Sequence, residues 1–168
     1  ALGSIDILIN NVGGSLGTSS VLATSDEDFR AVFEVNLWAA LRLMQLASPG
    51  MRDRKWGRIV NIASIWGREY GGSAPYMASK ASLIAVTKHL AMQLAPDGIC
   101  VNSIAPGLVI PPESMDPEAV ERLRSHIPLK EEAGPQEIAS DVLHLIRSNA
   151  KTGTVVLTDG GIGVKAPL

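Results

Sequence analysis

Four short strand-like runs, set apart by long segments of helical periodicity, restrict the folds open to this sequence more than any other feature. They are Ile5 to Ile9, about Arg58 to Ala63, Ile99 to Ala105, and Thr154 to Thr158. The first, Ile5-Asp6-Ile7-Leu8-Ile9, is almost continuously apolar, which predicts a strand covered on both faces. Strands that alternate with helices need right-handed crossovers. The pattern therefore implies an α/β architecture, a parallel sheet with helices on both faces.

The helical segments carry their own boundaries. Ser25-Asp26-Glu27-Asp28 reads as a helix start, with Ser25 as N-cap and acids in the first turn. Phe29, Val32, Phe33, Leu37, Ala40 and Leu41 follow at helical spacing, and Pro49-Gly50 is expected to interrupt the end. Pro75 suits a first helical position, nothing breaks a helix from Met77 to Leu94, and Pro96-Asp97-Gly98 stops it. Asp116-Pro117 opens a short helix, and Gly134-Pro135 precedes another over about Gln136 to Ser148. The helix after Tyr76 is apolar nearly all round, including Met77, Ala81, Leu83, Val86, Leu90 and Met92. One stripe suffices to pack on a sheet, so the excess predicts a second buried face.

A chain of 168 residues suits a single domain with a sizeable core, here residues 1–168. Its 46% hydrophobic and 19% charged content predicts a folded protein. A net charge of −2 without a basic run argues against nucleic acid and acidic membranes as partners. No apolar run reaches a membrane-spanning length, and no signal-peptide pattern occurs. The single Cys100, in an apolar strand, reads as a buried thiol, and a cytoplasmic location is expected. His89, His126 and His144 lie on separate predicted helices without ligand spacing, so no metal site is assigned.

Tyr76 and Lys80 stand one helical turn apart on one face. A phenol with pKa near 10 is a poor acid–base at neutral pH, and a nearby ammonium favours its phenolate. The pair alone occurs readily by chance. Three other stretches accompany it: Ile9-Asn10-Asn11-Val12-Gly13-Gly14, Val35-Asn36-Leu37, and Gly57 to Ser64, whose hydroxyl stands twelve positions before Tyr76. Downstream comes Asn102-Ser103-Ile104-Ala105-Pro106-Gly107.

In this order and spacing, the set resembles the short-chain dehydrogenase/reductase family from about Ile5 to Gly161. The likeness is nearest to 3-oxoacyl-carrier-protein reductases and sugar or secondary-alcohol dehydrogenases. It implies a Rossmann-like doubly wound sheet and an NAD- or NADP-dependent interconversion of a carbonyl and a secondary alcohol. Tyr76 would be the general acid–base, Lys80 would hold the nicotinamide ribose and lower the Tyr76 pKa, and Ser64 would bond the substrate oxygen. Asn36 would anchor a water that links Lys80 to solvent. Asn11 and Gly13 would border the adenosine-side ribose, with Val12 where the family has Ala. Pro106 and Gly107 would form the turn beneath nicotinamide, with the Val109 backbone facing its carboxamide. Pro111 replaces the family's usual Thr, and Ser114 offers a nearby hydroxyl. Trp66, Tyr70 and Met115 are candidates for the substrate wall, though loop packing explains each as well. The partner would be a small carbonyl or alcohol. Relatives pair the Asn36 and Tyr76 helices across a two-fold axis, so a homodimer or homotetramer is expected.

The strand count departs from the family pattern. Four strands are legible where the family has seven, and the family's Thr-Gly-x-x-x-Gly-x-Gly phosphate turn is missing. The expectation is therefore an N-terminally incomplete Rossmann-like domain truncated to about four strands. Two readings stay open: an oxidoreductase built on the Asn-Ser-Tyr-Lys tetrad, and a catalytically incompetent fragment or non-catalytic assembly module of the same fold.

Overall fold

The structure is a computed structural model, and it describes residues 4–16, 20–111 and 115–164. Four strands, β1 (Ile7–Asn10), β2 (Gly57–Ile62), β3 (Ile99–Pro106) and β4 (Val155–Thr158), form one sheet in that order. Every pairing is parallel. Ile9 faces Val60, Val60 faces Asn102, and Ile104 faces Val156. The expected α/β sheet is therefore present, and β3 is its centre, with all its residues buried.

Alternation along the strands splits the core into two layers. On one face Ile59, Ile99 and Val101 meet α2 (Ala39–Asp53) and α3 (Ala74–Leu94) through Met44, Met51, Leu83 and Leu94. On the other, Val60 and Ile104 meet Val142 and Leu145 of α5 (Pro135–Arg147). The remaining helices are α1 (Asp26–Phe33) and α4 (Pro117–Ser125). Ser25 caps α1 by accepting from the Asp28 N–H, and Asp116 caps α4 by accepting from Glu118. Gly98, at φ 73°, ends the turn after α3, where a Cβ would lie 2.4 Å from Lys55 O. Cys100 is buried, as expected. Among the described residues no helix is long and apolar enough to cross a membrane.

Three expectations are corrected. Pro49 lies inside α2, which runs on to Asp53 instead of ending there. Proline removes one backbone hydrogen bond, but Met51, wholly buried against Gly57, anchors the turn beyond it. Second, β1 is covered on one face only: Leu8 is buried, whereas Ile7 and Ile9 are 42% and 45% exposed. Third, the passage from α1 to α2 is a π-helical turn, Glu34–Trp38, closed by a bond from Ala39 N–H to Glu34 O. That wide turn holds Asn36, which is buried.

Candidate active site

The carboxyl ends of all four strands open on one side of the molecule, as the parallel pairing requires. Asn11 to Gly14 follow β1, Ser64 follows β2, Gly107 to Val109 follow β3, and Asp159 to Ile162 follow β4. The first two turns of α3 add Tyr76 and Lys80. Together these elements enclose a cleft of about 480 Å³. A larger depression on α4 and its following loop, lined by Glu121, Arg124 and Lys130, contains none of these groups.

Tyr76 and Ser64 stand together in the cleft, and the Ser64 side chain acts to lower the phenol's pKa. Ser64 is itself fixed, because its hydroxyl accepts from the Trp66 N–H at 3.2 Å. Lys80 is 3% exposed and donates from Nζ to Ile62 O at 2.9 Å. Its ammonium lies 5.8 Å from the centre of the Tyr76 ring. Burial draws the Lys80 amine down to about 8, because the charged form loses solvent. Burial also raises the Tyr76 phenol above its ordinary value, with the Ser64 side chain acting in the opposite direction. In the free protein desolvation is thus the larger influence on the Tyr76 phenol, and Ser64 is the group that opposes it. At neutral pH the phenol is a held proton and the amine is still mostly charged.

Asn36 does not line the cleft but braces it from behind. Its amide brackets the Gly14 backbone, accepting from Gly14 N–H and donating to Gly14 O, each at 2.9 Å. It also donates to Ser79 Oγ at 2.9 Å, and Ser79 donates to Tyr76 O at 2.9 Å. The loop after β1, the π turn and the first turn of α3 are thus one bonded unit. Gly13 shows how tight this corner is, since a Cβ there would lie 2.9 Å from both Asn36 Oδ1 and Lys80 Nζ.

The remaining sequence candidates divide clearly. Asn11, Gly13, Pro106, Gly107 and Val109 all line the cleft, as do Trp66 and Met115. Tyr70 does not, and is 85% exposed. Ser114 lies outside the described residues. Asp159-Gly160-Gly161 is a structural turn: the Asp159 carboxylate accepts from the Gly161 and Gly163 N–H groups at 2.9 and 2.8 Å. It does more than turn the chain, because Gly107 packs on the Asp159 backbone, where a Cβ would approach to 2.9 Å. Ser79, Gly14 and Ile162 were missed. Only the position of Ser79, one residue before Lys80 and three after Tyr76, hinted at its part.

The residues present fit a nicotinamide cofactor. Asn11, Gly13, Pro106 and Gly107 line the cleft together with Lys80, which offers it an ammonium.

A family model described as Enoyl-(Acyl carrier protein) reductase matches residues 1–163. A 3-oxoacyl-[acyl-carrier-protein] reductase from Thermotoga maritima is 38% identical over 166 residues, covering 95% of this chain and 67% of the relative. The crystal structure of a 3-oxoacyl-[acyl-carrier protein] reductase with bound NAD, from Brucella melitensis, superposes with TM-score 0.87 at 32% identity. It is matched over 95% of this chain and 63% of that one. The structure titled ElxO with NADP bound gives TM-score 0.87 at 30% identity, over 97% of this chain and 69% of that one. The chain thus spans about two thirds of the length of the proteins it matches. With the sheet, the cleft and these matches in agreement over almost every residue, the chain belongs to the short-chain dehydrogenase/reductase family.

Proposed function

We propose that this chain carries the reacting end of an NAD(P)-dependent oxidoreductase that interconverts a carbonyl and a secondary alcohol. The observation that carries the reading is the convergence of Ser64, Tyr76 and Lys80 on the lining of one cleft. A bound nicotinamide supplies the hydride that reaches the carbonyl carbon. Ser64 and Tyr76 hold the carbonyl oxygen, where negative charge develops as the C=O electron pair moves onto it. Tyr76 then gives its phenolic proton to that oxygen, leaving the alcohol and a phenolate. Lys80 stabilises that phenolate and holds the proton that restores it. Asn36 keeps the corner in register by tying Gly14 to Ser79, and it is the expected anchor of a water that links Lys80 to solvent. Asn11, Gly13, Pro106, Gly107 and Val109 border the dinucleotide.

Tyr76→Phe removes the donor and little else, so it should abolish carbonyl reduction while the melting temperature stays within a few degrees. Near-normal turnover in that variant would refute the assignment. The coverage of relatives favours a second reading, in which these residues hold only the nicotinamide end of the cofactor and the chain alone is inactive. Calorimetric titration with NADH and NADPH separates the two. The second reading expects weak or undetectable binding, and micromolar affinity would exclude it.

A further inference from the structure

The walls of the cleft beyond Ser64 and Tyr76 are apolar, and they come from four separate segments. Trp66 stands on the loop after β2, Leu108 and Val109 follow β3, Leu123 belongs to α4, and Ile162 lies in the turn after β4. Among the described residues, the cleft lining includes no Asp, Glu, Arg or His side chain. Its one ionisable amine, Lys80, is turned onto Ile62 O and sits against Gly13, on the side bordered by the β1 loop.

These walls are built before any ligand arrives. The Trp66 indole lies flush on Gly71, where a Cβ would fall 2.4 Å from the ring. Gly72 sits beside both rings, with Cβ distances of 3.6 Å to Trp66 and 3.7 Å to Tyr76, so the indole borders the phenol. The α4 side is clamped as well. Leu129 N–H donates to Gly160 O at 3.1 Å, and a Cβ on Gly160 would lie 2.5 Å from Ile127. A pre-formed apolar wall takes an apolar group with little ordering cost, and it strips water from a charged one without offering a counter-charge.

We propose that the substrate half of this cleft selects an uncharged ketone flanked by apolar groups, with Trp66 and Leu123 as the side chains that set the preference. The inference rests on the reading of Tyr76 as proton donor to a carbonyl oxygen. A free carboxylate on the flanking group is discriminated against, because no cationic side chain among the described residues lines that half of the cleft.

A matched pair of probes tests this without turnover. The indole ¹⁵N–¹H resonances of the 168-residue chain are followed by NMR during titration with 4-methylacetophenone and with 4-acetylbenzoate, and Trp66→Phe identifies the Trp66 signal. The neutral ketone should move the Trp66 resonance saturably, and the carboxylate should bind about tenfold or more weakly. Leu123→Lys, a change on a partly exposed helix face, should narrow or invert that ratio by supplying the missing cation. Equal affinity for the two probes, a preference for the carboxylate, no shift at Trp66 with either, or an unchanged ratio in Leu123→Lys would each overturn the proposal. If Tyr76→Phe keeps turnover while the binding preference holds, the reductase chemistry fails and the wall assignment survives.

Discussion

Lys80 is held at a thermodynamic cost that can be measured directly. Its amine is drawn from 10.5 to about 8, which corresponds to about 3 kcal/mol of stability withheld at neutral pH. The folded state binds its proton less well than the unfolded chain does. Between about pH 8 and pH 10.5 the unfolded chain therefore carries more protons, and stability rises with pH across that window. Below about pH 8 both states are protonated and the penalty is constant. Lys80→Met keeps the length of the side chain and removes the charge. It also forfeits the bond to Ile62 O, worth about 1 kcal/mol. The variant should thus be about 2 kcal/mol more stable than the parent at pH 6.5, or about 4–8 °C in melting temperature for a chain of this size. The advantage should shrink steadily as the pH approaches 10. Paired urea melts at pH 6.5, 8 and 9.5 give the difference at each point. A variant that is less stable at pH 6.5, or a difference that does not change with pH, would refute the account of Lys80 as a buried cation.

Two further changes probe the frame around the cleft. Asp159→Ala removes the acceptor of two backbone N–H bonds beneath Gly107 and should cost about 2 kcal/mol in a urea melt, with Asp159→Asn, which keeps one carbonyl oxygen, losing about half as much. On β1, Ile7→Lys with Ile9→Lys places charge on an exposed face at the sheet edge; light scattering should show less concentration-dependent association than in the parent, with stability changed by less than about 1 kcal/mol.

Much of this was legible because the signals are local. Pro75 at the start of α3, an unbroken run to Leu94 and the left-handed Gly98 after it are each short-range, and the helix is found over Ala74–Leu94. Strand positions followed from apolar runs, the pairing of Tyr76 with Lys80 from helical spacing, and the addition of Ser64 from the family resemblance. The misses are tertiary. Nothing in Glu34–Trp38 marks a π turn, which the inward pull of Asn36 and the covering of α2 decide together. Pro49 is a helix breaker until Met51 has a core to enter. The burial of β1 depends on what lies beside the strand, which its alternation cannot report. Likewise, the sign of the Tyr76 shift depends on how much solvent the folded chain removes.

The placement of Tyr76 follows from how α3 is pinned to the sheet. An apolar helix face tolerates small rotations and slides, since hydrophobic packing has little directionality. The buried face of α3 is different, because it interrupts its apolar stripe with Ser79, Lys80 and Thr87, each less than 4% exposed. Each makes a directed bond to another element. Ser79 takes the Asn36 amide, Lys80 reaches Ile62 O at the end of β2, and Thr87 accepts from Asn61 at 2.8 Å. Asn61 in turn accepts from Asn10 of β1 at 2.7 Å, so the last pin spans two strands and the helix. Three such bonds, spread over more than two turns, fix both the rotation and the axial position of α3. A register shift would break all of them at once and leave buried polar groups unpaired. The cost carried by Lys80 is thus part of what fixes the rotation of α3, and with it the place of the Tyr76 phenol beside Ser64 in the cleft.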